Sequence, residues 1–174
     1  EIRKVNKMYK ILKKETLNPT VKLMVVEAPY VAKKALAGQF IILRVNENGE
    51  RIPLTIADYD REKGAVTIIF QEVGKTTQML GALNEGDYIL DFVGPLGKPT
   101  EYEDNLNKVA VIGGGLGTAI AYPQAKQLHN MGVDVDVIAG FRNKDLIILE
   151  KEMKEVSNRL FVTTDDGSNG HKGF

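Results

Sequence analysis

The chain has 174 residues, 43% of them hydrophobic and 26% charged, enough for one or two small domains with a buried core. Lys plus Arg and Asp plus Glu each number 23, so no net charge draws the protein to nucleic acid or an anionic membrane. The absence of cysteine excludes disulfides, thiolate catalysis and cysteine-ligated metal or iron–sulfur sites within these residues.

The leader EIRKVNK stands before Met8 and reads as a segment that need not be native. It brings Arg3, Lys4 and Lys7 to a basic first strand that continues through Lys10, Lys13 and Lys14. Lysines there are expected to guard an exposed sheet edge; steering of an acidic partner such as ferredoxin is the alternative. No apolar run approaches the ~20 residues that span a bilayer, and no signal peptide opens the chain, so a cytoplasmic protein without membrane or nucleic-acid partners is expected.

Residues 1–97 continue as short runs rich in β-branched and aromatic residues: 21–28, 39–45, 51–57, 65–73 and 87–93. The breaks fall at Asn18-Pro19, Gly38, Asn48-Gly49, Lys63-Gly64 and Glu85-Gly86. One short helical stretch, Thr77 to Leu83, interrupts them. This spacing predicts a small antiparallel barrel. The run from Ile68 into Gly74-Lys75-Thr76 imitates a P-loop, but the glycine required five positions before Gly74 is Ile69. That argues against an NTPase. Gly74, Thr76 and Thr77 at a helix start still suit a diphosphate.

Beyond Gly94-Pro95-Leu96-Gly97 and a polar linker, 98–107, the pattern becomes strand–helix–strand–helix–strand. Strands are expected at 108–112, 134–141 and 159–164, with helices between, the second over 144–156. That alternation predicts a parallel sheet, here the start of a doubly wound domain over 108–174. On its first helix Ala121, Ala125 and Leu128 share one face, and Gly132 fits a C-terminal cap. Three strands bury little, so a longer protein is expected, of which this is one part.

The first strand runs into Gly113, Gly114, Gly115 and Gly117. A loop there lies at the carboxyl edge of the sheet, where a glycine backbone and a helix start receive a pyrophosphate. Packing of helix on strand is the plainer role. Because proline is tolerated in a first helical turn, Pro123 predicts that the helix is established only past Ala119. After the second strand, Arg142 and Lys144 stand where an NAD fold places an acid. Arg142 meets a 2′-phosphate or adenine, or it is a solvated loop charge beside an Asn143 cap; NAD and NADP both stay open. His129, His171 and the acidic run EYED at 101–104 have no catalytic or metal partners and read as solvated surface.

The order R-x-P-L-T, G-K-T-T, G-P-L-G and glycine loop resembles the ferredoxin–NADP reductase superfamily of flavoproteins. Within it, the chain is similar to the branch of the dihydroorotate dehydrogenase electron-transfer subunit and the small (alpha) subunit of NADH-dependent ferredoxin:NADP oxidoreductase, also called sulfide dehydrogenase. RIPLTIADYDREKGAVTIIFQEVGKTTQML is close in wording to the latter. The resemblance implies that Arg51 pairs with a flavin-side phosphate of FAD, Pro53, Leu54 and Thr55 line the isoalloxazine, and Gly74, Thr76 and Thr77 take the pyrophosphate. It implies that Gly113, Gly114, Gly115 and Gly117 hold NAD(P)H, and that Asp166, Gly167 and Ser168 border the nicotinamide cleft. The implied activity is hydride transfer between NAD(P)H and FAD, with electrons exchanged through a [2Fe–2S] cluster with a larger catalytic subunit and possibly ferredoxin. The chain departs from the pattern at Ile120, where the family commonly has proline, and in having no cysteine; the cluster belongs to a later segment. Service to dihydroorotate oxidation, or a non-catalytic nucleotide-binding module, are the alternative functions.

Overall fold

A computed structural model describes residues 8–173. The first half forms β1 (Tyr9–Thr16), β2 (Val21–Glu27), α1 (Pro29–Lys34), β3 (Phe40–Arg44), β4 (Ile52–Asp60), β5 (Ala65–Gln71), α2 (Lys75–Ala82), β6 (Tyr88–Ile89) and β7 (Asp91–Leu96). Seven strands join antiparallel in the order β6-β1-β2-β5-β4-β3-β7. The expected run 87–93 divides at Leu90: Ile89 pairs with Tyr9 at one end of the sheet, and Asp91 pairs with Arg44 at the other. The chain's bend at Leu90 thus brings the two sheet ends together into a nearly closed barrel. Its interior is filled by alternate residues of each strand, among them Ile11, Met24, Ile41, Ile68, Phe70 and Phe92.

The barrel has one more helix than expected. In α1, Pro29 occupies the first turn, where its missing N–H costs nothing, and Val31 and Ala32 are buried in the barrel core. The lysine-guarded edge is also corrected. Beside β1, Ile11 N–H donates to Asp87 O, Lys14 N–H to Glu85 Oε1 at 3.0 Å, and Lys14 Nζ to Gly81 O at 2.6 Å. The segment from α2 to β6 therefore covers this side of the strand. Arg3, Lys4 and Lys7 lie outside the described residues.

The second half forms β8 (Lys108–Gly114), α3 (Gly117–Asn130), β9 (Asp134–Phe141), a 3₁₀ turn (Lys144–Leu146), α4 (Glu150–Glu155), β10 (Arg159–Thr164) and β11 (His171–Lys172). The sheet β11-β10-β9-β8 is wholly parallel; β11 was expected as loop. Along β9 every second residue, Val135, Val137, Ala139 and Phe141, is buried in one cluster with the inner faces of α3 and α4. Gly132, with φ 83°, follows the last turn of α3 as expected.

Two helix expectations fail. α3 begins at Gly117, so Pro123 lies inside it, and burial of Ala119, Ala121, Ala125 and Leu128 on the sheet and barrel holds the helix through the proline. The expected helix over 144–156 is broken by Leu149 at φ 57°. Ile148 and Leu149 are both buried, and α4 starts after them, with Leu149 in the left-handed region as its N-terminal flanking residue.

The halves share a core: Val21, Ala57 and Ile69 of the barrel join the α3 cluster. Lys126 Nζ on α3 reaches both carboxylate oxygens of Asp58 on β4, at 2.8 and 2.9 Å. The acidic run is not wholly solvated, because the Tyr102 hydroxyl donates to Gln124 Oε1 and its ring packs against the second cluster.

Candidate functional site

Two cavities meet where the barrel abuts the parallel sheet. The larger, about 550 Å³, lies at the carboxyl edge of β8 and β9 and is lined by Gly114, Gly115, Gly140, Arg142 and Asp165. The second, about 260 Å³, is lined by Pro53, Leu54 and Thr55 of β4, Thr77 of α2, and Ala119 and Ile120 of α3. Residues from both ends of the sequence thus form one continuous region, as a ligand crevice in an open α/β sheet does.

The glycines divide by role. A Cβ on Gly113 would stand 2.9 Å from Thr118 Cα and 3.2 Å from Ala121 Cβ, so this glycine permits α3 to lie against β8. A Cβ on Gly114, Gly115 or Gly117 would meet nothing within 4 Å; Gly114 and Gly115 leave bare backbone on the larger cavity, which Gly117 does not line. Gly115 needs glycine for a second reason, its φ of 52°. An open backbone before a 14-residue helix is the donor set that a pyrophosphate requires. The structure therefore fits a dinucleotide.

On the barrel side, Thr77 Oγ1 accepts from Val73 N–H and Gly74 N–H, both at 3.0 Å, and donates to Gly74 O at 2.9 Å. Its hydroxyl closes the turn rather than facing outward, and Thr76 is buried. What α2 offers an anion is the set of first-turn N–H groups on Lys75, Thr76 and Thr77, which have no carbonyl one turn earlier in the helix. A Cβ on Gly74 would meet nothing within 4 Å, so the approach is open. With the extended Pro53–Thr55 backbone beside it, this set fits a flavin and its diphosphate.

Arg51 is exposed, and its Nη2 donates to Asp91 Oδ2 at 3.0 Å, an oxygen that also accepts from Arg44 Nε at 2.8 Å. Arg44 Nη1 also stands 3.8 Å from Glu47 Oε2, so the two guanidiniums face two carboxylates, and Arg51 lines neither of the two cavities. Arg142 makes no ion pair among the described residues and its side chain borders the larger cavity. Asn143 Oδ1 accepts from Asp145 N–H at 3.0 Å, which realises the expected cap as well. Asp166, Gly167 and Ser168 brace the wall instead of lining it: Ser168 Oγ accepts from Lys144 N–H at 2.8 Å, and Ser168 N–H donates to Asp166 Oδ1 at 2.9 Å. The bonds from the Ser168 hydroxyl and amide hold the Asp166 carboxyl below its usual range. Asp165 and Thr163 are the nearby residues that reach the cavity.

Sequence reasoning passed over Asn18, Thr20, Gln71 and Leu116, which line the larger cavity. Asn18 was legible as a turn residue; its Oδ1 accepts from Thr20 N–H at 3.1 Å and Val21 N–H at 2.9 Å, while its Nδ2 donates to Leu146 O at 3.3 Å. No local pattern says that this hairpin lies over the other domain. Cysteine is absent from the sequence, and the described residues contain no cluster of metal-ligating side chains, so they do not fit a [2Fe–2S] cluster. No helix among them is long and apolar enough to cross a membrane.

Residues 8–102 match the oxidoreductase FAD-binding domain family. An uncharacterized protein of Clostridium beijerinckii is 54% identical over 95% of this chain and 58% of its own length. A Thermotoga maritima homologue of the electron transfer subunit of dihydroorotate dehydrogenase B (NAD(+)) is 49% identical over 85% of this chain and 52% of its own length. Among solved structures, one of the NADH-dependent reduced ferredoxin-NADP oxidoreductase, a study of flavin-based electron bifurcation, superposes with a TM-score of 0.89 at 45% identity, covering 95% of this chain and 59% of that one. The chain thus spans between half and two thirds of the length of each of these three proteins.

Proposed function

We infer a function from one premise: the chain belongs to the oxidoreductase FAD-binding domain family. It is the cofactor-binding part of an electron-transfer flavoprotein subunit that exchanges hydride between NAD(P)H and FAD and serves a larger partner subunit in the cytoplasm. The observation that carries this reading is the convergence of Pro53, Leu54, Thr55 and Thr77 with the first turn of the glycine-loop helix on one cavity. A flavin held there by these residues would supply a hydride acceptor for a reduced nicotinamide and a one-electron donor.

The chain's own residues bind, orient and exclude water. The α2 amino terminus and Arg51 hold phosphate charge, and the β4 backbone presents regular donors and acceptors to a flat heterocycle. Leu54, Ala119 and Ile120 make the meeting point apolar, so no bulk water separates the reactants. Gly114, Gly115 and Gly117 carry the second cofactor's pyrophosphate. No side-chain acid or base is needed for hydride transfer, which accounts for a cavity without a histidine, cysteine or carboxylate pair. The cluster that passes electrons onward belongs to other residues of the longer protein or to its partner.

Two acceptor systems fit. The solved neighbour favours the ferredoxin:NAD(P) oxidoreductase type, and the Thermotoga relative favours dihydroorotate oxidation. Purified protein tests the common part. A yellow protein whose flavin absorbance is bleached by NADH or NADPH is expected; colourless protein that still binds dinucleotide would instead identify a non-catalytic nucleotide-binding module. Coupling bleached protein to ferredoxin or to a dihydroorotate-oxidising subunit then separates the two systems.

A further inference from the structure

We propose that Leu116 and Gln71 form the gate between the two cavities and set how the nicotinamide end of the dinucleotide meets the flavin ring. The inference rests on the assignment of dinucleotide to the larger cavity and flavin to the smaller. These are the two residues that line both cavities. They come from opposite walls: Gln71 is the last residue of β5 in the barrel, and Leu116 immediately precedes α3. A ligand that fills the larger cavity and touches one in the smaller must pass between them.

The two walls differ in chemistry and stiffness. Gln71 is held by the β5–β2 ladder opposite Val21, and its Nε2 donates to Thr20 Oγ1 at 3.2 Å, which ties the side chain to the Asn18 hairpin. It is the fixed, polar jamb. Leu116 is half-buried and has no hydrogen-bonding side chain, and its carbonyl accepts from Ala119 N–H at 3.0 Å in the first turn of α3. Ile120, four residues on, lies on the same helix face and lines the flavin-side cavity. Leu116 and Ile120 therefore form one apolar ridge, with Leu116 at the narrow point and Ile120 in place of the proline the family commonly has. A branched aliphatic side chain there fixes ring spacing by contact alone and keeps the opening dry. Both are positioning residues, since neither supplies a proton or charge to the reaction.

The test uses the whole protein loaded with FAD, with ADP as a probe confined to the larger cavity and NADH and NADPH as probes that must pass the gate. Leu116→Trp borders both cavities, so any fall in its FAD content or ADP affinity is expected to be smaller than the fall in bleaching rate, which is read per bound flavin. It should abolish the long-wavelength charge-transfer absorbance of the nicotinamide–flavin pair and slow flavin bleaching by at least about tenfold, as a misplacement near 1 Å costs on the order of a hundredfold. Leu116→Ala is the second variant, smaller and tolerant of the fold; it should weaken the same band and lower kcat with little change in KM. Gln71→Leu should shift the band in the same direction. Wild-type bleaching and band in Leu116→Trp would overturn the gate, as would a loss of ADP affinity in step with the rate. If the unaltered protein binds ADP but no flavin, or flavin but no ADP, the cavity assignment itself is wrong, and the gate falls with it.

Discussion

Gly113 and Gly114 are neighbours in β8, and replacing each by alanine should damage different properties. At Gly113 the new Cβ would sit 2.9 Å from Thr118 Cα and 3.2 Å from Thr118 N, both backbone atoms of α3. Neither can rotate away, so the first turn of α3 must back off from the sheet by a few tenths of an ångström. Overpacking of this kind costs about 1–3 kcal/mol, which for a chain of this size lowers Tm by roughly 2–12 °C. At Gly114 the Cβ meets nothing within 4 Å, and the backbone is outside the left-handed region, so stability should change by less than about 0.5 kcal/mol. The methyl would instead project over the surface that receives the pyrophosphate, and ADP affinity should fall on the order of tenfold, or ~1.4 kcal/mol. Urea and thermal unfolding followed by circular dichroism read the first effect, and calorimetric titration with ADP reads the second. A Gly113→Ala protein as stable as wild type would refute the packing argument. Equal losses of stability in both variants would refute the division of roles.

Arg51→Ala should weaken FAD retention by roughly tenfold or more, because a charge-assisted hydrogen bond contributes about 1.5–3 kcal/mol; equilibrium dialysis measures it, with Asp91→Asn expected to change retention less. Tyr122 has its hydroxyl pushed up to about 12, first by burial and then by the carboxylates of Asp58, Glu152 and Glu155. Its folded value lies above the ordinary value of ~10, so the stability it contributes is complete below that pH and is lost as pH rises toward 12. Tyr122→Phe should therefore flatten the alkaline limb of a stability–pH curve. Asp136 is held below the usual carboxylate range, chiefly by its hydrogen bonds from Arg159, one of them 2.8 Å from Nε. That contribution is present above pH ~4 and fades as pH falls through the depressed value. Arg159→Gln should accordingly show a shallower acid limb, while an unchanged limb would count against the pair.

Much of the architecture was legible because it follows from local rules. Short runs rich in β-branched and aromatic residues, broken at turn residues, announced the strands of the barrel, and the strand–helix alternation after residue 107 announced a parallel sheet. The glycine loop declared itself because no other residue leaves the backbone bare at a helix start, and Gly74 did so for α2. What local rules misjudged was wherever a distant partner outweighed propensity. Pro123 sits inside α3 because the helix face around it is buried, and 144–156 breaks where buried Leu149 takes a left-handed backbone conformation that local propensity disfavours. The candidate site shows the same division. Its residue types could be named in one dimension, but the packing role of Gly113, the exposure of Gly114, the Asp91 that Arg51 shares with Arg44, and the meeting of Gln71 with Leu116 depend on residues far apart in the chain. Sequence by itself determined which segments could extend, coil or turn, since those preferences reside in each residue and its near neighbours. Only the tertiary structure decided which segments face each other across a cavity, because that is set by how the two apolar faces exclude water together.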